Sequence, residues 1–229
     1  MDKQYERIIN VLGEDDLKKL RKSSVMVIGL GGVGSYAAEG LARSGVGRLG
    51  LVDRDVLEYS NLNRQIEALH STIGREKSIV MAERIRDINP ETKTVSYQLS
   101  VNANSLDELF EFNPDYIVDA IDDMNAKIEL WKRCQQKQIP FVASLGMARR
   151  MDPTKVTQTT LNRTTDDPMA RKLRYLAKQA GLDLNIKVIW SSESPFPSQQ
   201  EGILGSMIFV PATAGLVCAK TCLNDLLGK

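Results

Sequence analysis

Val25-Met26-Val27-Ile28-Gly29-Leu30-Gly31-Gly32-Val33-Gly34 is the stretch on which the fold turns. Residues 25–28 form an unbroken apolar run, largely β-branched, which reads as a strand buried on both faces. Gly29, Gly31 and Gly34 follow at the spacing G-x-G-x-x-G, and residues 33–44 continue with helical periodicity. Strand, glycine turn and helix N-terminus in that order make an anion site. Missing side chains let the backbone approach a phosphate, and free N–H groups with the helix dipole hold it. The next apolar run, residues 49–52, ends in Asp53, whose carboxylate can take both hydroxyls of a ribose. Taken alone, this spacing serves any dinucleotide enzyme, and equally a tight turn that packs a helix on a sheet.

The residues after Asp53 narrow the choice. A hydride-transferring enzyme needs only a short loop there, whereas this chain runs on through Arg54-Asp55-Val56-Leu57-Glu58-Tyr59-Ser60-Asn61-Leu62-Asn63-Arg64-Gln65. Asn61, Asn63, Arg64 and Gln65 offer amide and guanidinium donors suited to a triphosphate rather than to a nicotinamide ring. Lys77, opening the next helical pattern, adds a mobile positive charge. The order G-x-G-G-x-G, then Asp53, then S-N-L-x-R-Q, then Lys77 resembles the ubiquitin-activating-enzyme-like (ThiF/MoeB/HesA) superfamily residue for residue. That resemblance implies ATP as the nucleotide. It assigns Gly29, Gly31, Gly32, Gly34, Asp53, Asp55, Asn61, Asn63, Arg64, Gln65 and Lys77 to ATP binding.

Tyr116-Ile117-Val118 is another buried strand and runs into Asp119-Ala120-Ile121-Asp122-Asp123. A carboxylate just past the C-terminal end of a parallel strand lies in the crevice where such sheets bind ligands. In the superfamily the second aspartate of a D-x-x-D motif holds the magnesium that accompanies ATP, and Asp122 matches it. Asp119 then only supports the loop, while Asp123 is placed to cap a helix over 124–138. Upstream, Tyr5-Glu6-Arg7-Ile8-Ile9 resembles the element whose arginine reaches the triphosphate of a partner subunit. Arg7 matches that arginine, and the site would then require a homodimer; a solvated arginine on a terminal helix accounts for it equally. The catalytic set implied is Arg64, Lys77, Asp122 and Arg7.

With 229 residues and net charge +1, the chain can bury one sizeable core and carries no global basic field. Cys134, Cys218 and Cys222 make an odd count without C-x-x-C, as expected of reduced thiols in a cytoplasmic protein. Residues 1–7 lack the apolar core of a signal peptide. The apolar stretch 203–222 is broken by Gly205, Pro211, Gly215 and Lys220, which favours a buried helix over stable membrane association. Periodicity further places helices over 15–20, 75–89, 105–112, 168–180 and 205–227, and strands over 94–99, 141–144, 155–160 and 187–191. Residues 193–201 read as a loop. The expected fold is α/β, a Rossmann-like doubly wound and mostly parallel sheet with flanking helices and a C-terminal strand/helix extension. Residues 1–229 read as one ThiF-type adenylating domain, with an N-terminal helical element over 1–22 and a substrate-side extension over 151–203.

Structural-zinc cysteine pairs are lacking, and all three cysteines fall at core positions rather than where a thioester nucleophile would stand. The chain instead carries a basic segment: Arg149, Arg150, Lys155, Arg163, Arg171, Lys172, Arg174 and Lys178. This reads as a local positive surface for a phosphate backbone, or as a plain solvated face. Met151-Asp152-Pro153-Thr154-Lys155, Asp167-Pro168-Met169-Ala170-Arg171-Lys172-Leu173-Arg174 and Gly205-Ser206-Met207-Ile208-Phe209-Val210-Pro211 resemble the tRNA threonylcarbamoyladenosine dehydratase branch of the superfamily. The resemblance implies ATP- and Mg2+-dependent cyclisation of N6-threonylcarbamoyladenosine in tRNA, through an adenylated carboxylate. A rival within the superfamily adenylates the C-terminus of a ubiquitin-like sulfur carrier. Outside it, a nucleotide-sensing protein without turnover shares the same contacts.

Overall fold

In the computed structural model, which describes residues 3–229, the decisive strand Ser24–Ile28 (β1) lies near the middle of a seven-stranded sheet. Arg48–Val52 (β2) and Tyr116–Asp119 (β4) pair with it in parallel on either side. Lys93–Tyr97 (β3) lies beyond β2, and Phe141–Ser144 (β5) beyond β4. Lys187–Ser191 (β7) continues parallel to β5, and Val156–Thr160 (β6) closes that edge antiparallel to β7. The order β3-β2-β1-β4-β5-β7-β6 reverses direction between β1 and β4. Sheets of this kind bind ligands at such a reversal.

Alternation along β1 divides the core into two layers. Val25 and Val27 pack with the helices Gly34–Arg43 (α3), Lys77–Ile88 (α4) and Phe209–Leu227 (α8) on one face. Met26 and Ile28 pack with Ser105–Glu111 (α5), Met124–Lys137 (α6) and Pro168–Gln179 (α7) on the other. The sandwiched strands thus read as continuous apolar runs because both faces are covered. The α3–α8 contact is close enough that a Cβ at Gly215 would sit 2.2 Å from the Val33 carbonyl oxygen. Cys218 and Cys222 are fully buried in that layer, and Cys134 in the other. Two helices, Glu6–Leu12 (α1) and Glu14–Lys22 (α2), precede the sheet, α2 burying Leu17 and Leu20.

The expected caps are present. Asp123 accepts from the amides of Asn125 and Ala126 at 2.8 and 2.9 Å, and Asp167 from that of Ala170 at 2.8 Å with Pro168 opening the helix. The last helix is shorter than its sequence pattern. It starts at Phe209, because residues 205–208 are drawn off the helical path by Arg149 N–H on the Gly205 carbonyl (2.9 Å) and Asn63 Nδ2 on the Ser206 carbonyl (2.8 Å). Among the described residues no helix is long and apolar enough to cross a membrane.

Candidate active site

A cleft of about 680 Å³ opens beyond the C-terminal ends of β1, β2 and β4. Its floor is the glycine turn, and the packing explains why glycine is required at two places. Gly29 has φ +87°, and a Cβ there would lie 2.6 Å from the Ala120 carbonyl oxygen. A Cβ on Gly34 would lie 1.7 Å from the Gly29 carbonyl oxygen, so helix α3 starts in backbone contact with the turn. Asp53 locks this arrangement: its carboxylate accepts from Leu30 N–H at 2.6 Å and from Asp55 N–H at 2.9 Å.

The structure brings Gly29, Gly31, Gly32, Asp53, Asp55, Asn61, Arg64, Gln65, Lys77 and Asp122 together as lining of this one cleft. Lys77 is buried, with its ammonium 3.2 Å from Asp55 and 3.9 Å from Asp53. Arg64 is steadied by bonds from Nη1 to the Ser60 carbonyl (2.7 Å) and to Asn63 Oδ1 (2.9 Å). Asp122 is exposed at the mouth. Gly34, Asn63 and Arg7 do not line the cleft. Gly34 acts from beneath it, Asn63 tethers the 205–208 segment, and Arg7 lies exposed on α1. Asn61 lines the cleft, yet its amide is committed to the turn, with Oδ1 accepting from Glu58 N–H at 3.1 Å and Nδ2 donating to Ser60 Oγ at 3.2 Å.

One expectation holds and one needs correction. Asp119 supports the loop, as expected, and is itself held from within the core. It is fully buried in an ion pair with Lys127 (3.0 Å), also fully buried, and accepts from Trp131 Nε1 (2.7 Å) and from Ile121 N–H (3.1 Å). This anchors the backbone that leads to Asp122. The basic segment is thinner on the surface than its sequence reads. Arg150 is buried, pairs with Asp167 at 3.1 Å and donates to the carbonyls of Gly146 and Glu193. Arg174 is half-buried and donates to the Thr164 carbonyl at 3.0 Å. Lys155, Arg163, Arg171, Lys172 and Lys178 remain exposed. The cysteines are poor nucleophiles: burial pushes the Cys218 thiol up to about 12 and raises those of Cys134 and Cys222 as well.

Among the described residues, three buried charged ones escaped the sequence reading: Glu39, Glu67 and Lys127. The one signal for Glu67 is an acid between Ile66 and Ala68, where helix and loop patterns alike tolerate a surface carboxylate.

The ThiF family model matches residues 5–228. The chain belongs to the ThiF family. Within it, the tRNA threonylcarbamoyladenosine dehydratase of Bacillus subtilis is 37% identical over 240 residues, which span 98% of this chain and 94% of that protein. The crystal structure of the E. coli tRNA N6-threonylcarbamoyladenosine dehydratase in complex with AMP superposes with a TM-score of 0.93 at 34% identity, covering 98% of this chain and 94% of that one. The ATP complex of the same enzyme gives 0.92 at 33% identity, with the same coverage. The adenylyltransferase and sulfurtransferase MOCS3 of Xenopus laevis is also 37% identical, but over only 63% of this chain and 32% of its own length.

Proposed function

We propose that this chain catalyses the ATP-dependent dehydration of N6-threonylcarbamoyladenosine in tRNA, beside the anticodon, through adenylation of the threonyl carboxylate. One observation carries the reading. The glycine turn, Asp53, Arg64, Lys77 and Asp122 meet in a single cleft of a chain related, end to end, to enzymes named for that reaction. The sulfur-carrier alternative is weaker, because likeness to the adenylyltransferase covers only 63% of this chain, against 98% for the dehydratase.

Ring closure must expel a carboxylate oxygen, and oxide cannot leave. Attack of the carboxylate on the α-phosphorus of ATP forms a mixed anhydride with AMP and releases pyrophosphate. A neighbouring nitrogen or oxygen of the same nucleoside then displaces AMP, and the departing oxygen leaves on it. The turn over residues 29–34 holds the phosphates by backbone N–H groups, and Asp53 has lone pairs left for the ribose hydroxyls. Arg64 and Lys77, with Arg7 of the partner subunit in a homodimer, neutralise charge that grows on the triphosphate during attack. Among the described residues no three of His, Cys, Asp and Glu gather as a metal cage. A lone carboxylate such as Asp122 suits magnesium that takes most of its ligands from phosphate and water, and bound there it would offset phosphate charge. The second step is intramolecular, a class of reaction whose effective molarity reaches about 10⁵ M or more when well oriented, so it needs no covalent cysteine.

The exposed residues Lys155, Arg163, Arg171, Lys172 and Lys178 give the tRNA backbone a cationic footing in an otherwise neutral chain. A cytoplasmic setting follows from three unpaired, buried thiols. Incubation with ATP and tRNA bearing the modified nucleoside tests the whole reading. AMP release should match loss of one water from the nucleoside. AMP formed only when a ubiquitin-like protein is added would favour the alternative.

A further inference from the structure

Within electrostatic reach of Lys77 and Asp53 lies a carboxyl that none of the steps above uses. Glu67 is 1% exposed, and both of its carboxyl oxygens are buried without a hydrogen-bond partner. Gln65 Oε1 and Ser78 Oγ, one residue from Arg64 and one from Lys77, are orphaned in the same way. Buried polar atoms are normally paired, so unsatisfied ones next in sequence to Arg64 and Lys77 call for an explanation. The charged and titratable groups facing Glu67 are Lys77 from α4, Asp53 from the end of β2, and Tyr36 from α3, the last flanked by Glu39 and Arg84.

We propose that Glu67 is a positioning residue for the triphosphate: buried without a partner and facing Lys77, it sets how much of that lysine's charge is left for phosphate. This rests on the ATP-binding part of the reading above and not on the identity of the second substrate. Lys77 already faces Asp55 and Asp53. While Glu67 is neutral, two carboxylates share one ammonium. Once Glu67 ionises, three do, and the cradle offered to a polyanion becomes more negative. Burial pushes the Glu67 carboxyl up to about 8, opposed by the charge of Lys77 and reinforced by that of Asp53. The proton is therefore held at neutral pH and lost on the alkaline side.

Calorimetric titration with magnesium-ATP, without tRNA, tests this in the wild type and in Glu67→Gln. Wild-type affinity should weaken about fivefold between roughly pH 7 and pH 9. Glu67→Gln should lose that step and bind about fivefold tighter than wild type at the upper pH. A flat wild-type profile overturns the proposal without any variant, and so does an equal alkaline step in a folded Gln variant. Thermal unfolding gives a second readout. The folded carboxyl titrates above its ordinary value of 4.5, so wild-type stability should fall as pH rises from there to about 8, and the Gln variant should lack that fall. A protein that shows the ATP step yet leaves the modified tRNA untouched keeps the role of Glu67 and removes the assigned substrate.

Discussion

The two walls of the cleft are built by opposite means. On the nucleotide side, backbone meets backbone: Gly29 against Ala120, Gly34 against Gly29, and α3 against the turn, with no room for one methyl group. On the other side, long side chains act as staples. Arg150 ties Gly146, Asp167 and Glu193 together, the Glu193 carboxylate accepts from the amides of Met151 and Asp152 at 2.9 Å each, and Asn63 holds Ser206. The first construction leaves no latitude for side chains at the turn proposed to hold the phosphates. The second leaves the far wall open to reshaping for a particular substrate by exchange of side chains.

Substitutions that respect this division should sort cleanly. Gly34→Ala should have the largest effect, lowering ATP affinity by about 100-fold or more, because the new Cβ would collide with the Gly29 carbonyl and displace the turn. Gly205→Ala is its counterpart on the opposite wall, where a Cβ meets nothing within 4 Å, and it should leave ATP binding unchanged in the same titration. Asp122→Ala should cut turnover by about 100-fold while shifting Tm by no more than about 2 °C, as checked by AMP release and thermal unfolding, since the residue is exposed and caps no helix.

Smaller effects probe the second wall. Arg171→Glu with Lys172→Glu should raise KM for tRNA about tenfold and lessen its salt dependence, with ATP affinity unmoved. Equal losses for both substrates would break the proposed division. Replacing Cys134, Cys218 and Cys222 together by Ala should change kcat by less than about twofold, provided the variant stays folded. Loss of activity in a folded triple variant would bring back a thioester route.

The same division accounts for what the sequence disclosed. A glycine turn is legible because its requirement is steric and local: residues 25–34 carry strand, turn and helix in one stretch. The caps Asp123 and Asp167 are legible for the same reason, each bonding within three residues. The start of α8 was not, because contacts from Asn63 and Arg149, far away along the chain, pull residues 205–208 out of the helix. Nor was the inward turn of Arg150, since nothing in the pair Arg149-Arg150 says which one turns inward until Asp167 is known to face Arg150. Glu39, Glu67 and Lys127 were missed because charged residues on helical or loop patterns are ordinarily solvated, and only the fold reveals that these three are not.

The central claim is that a nucleoside carboxylate is joined to AMP in this cleft. The most direct test is one turnover with tRNA whose threonyl carboxylate carries ¹⁸O. One labelled oxygen should appear in the AMP released. Label found in inorganic phosphate or pyrophosphate, or AMP free of label, would contradict it.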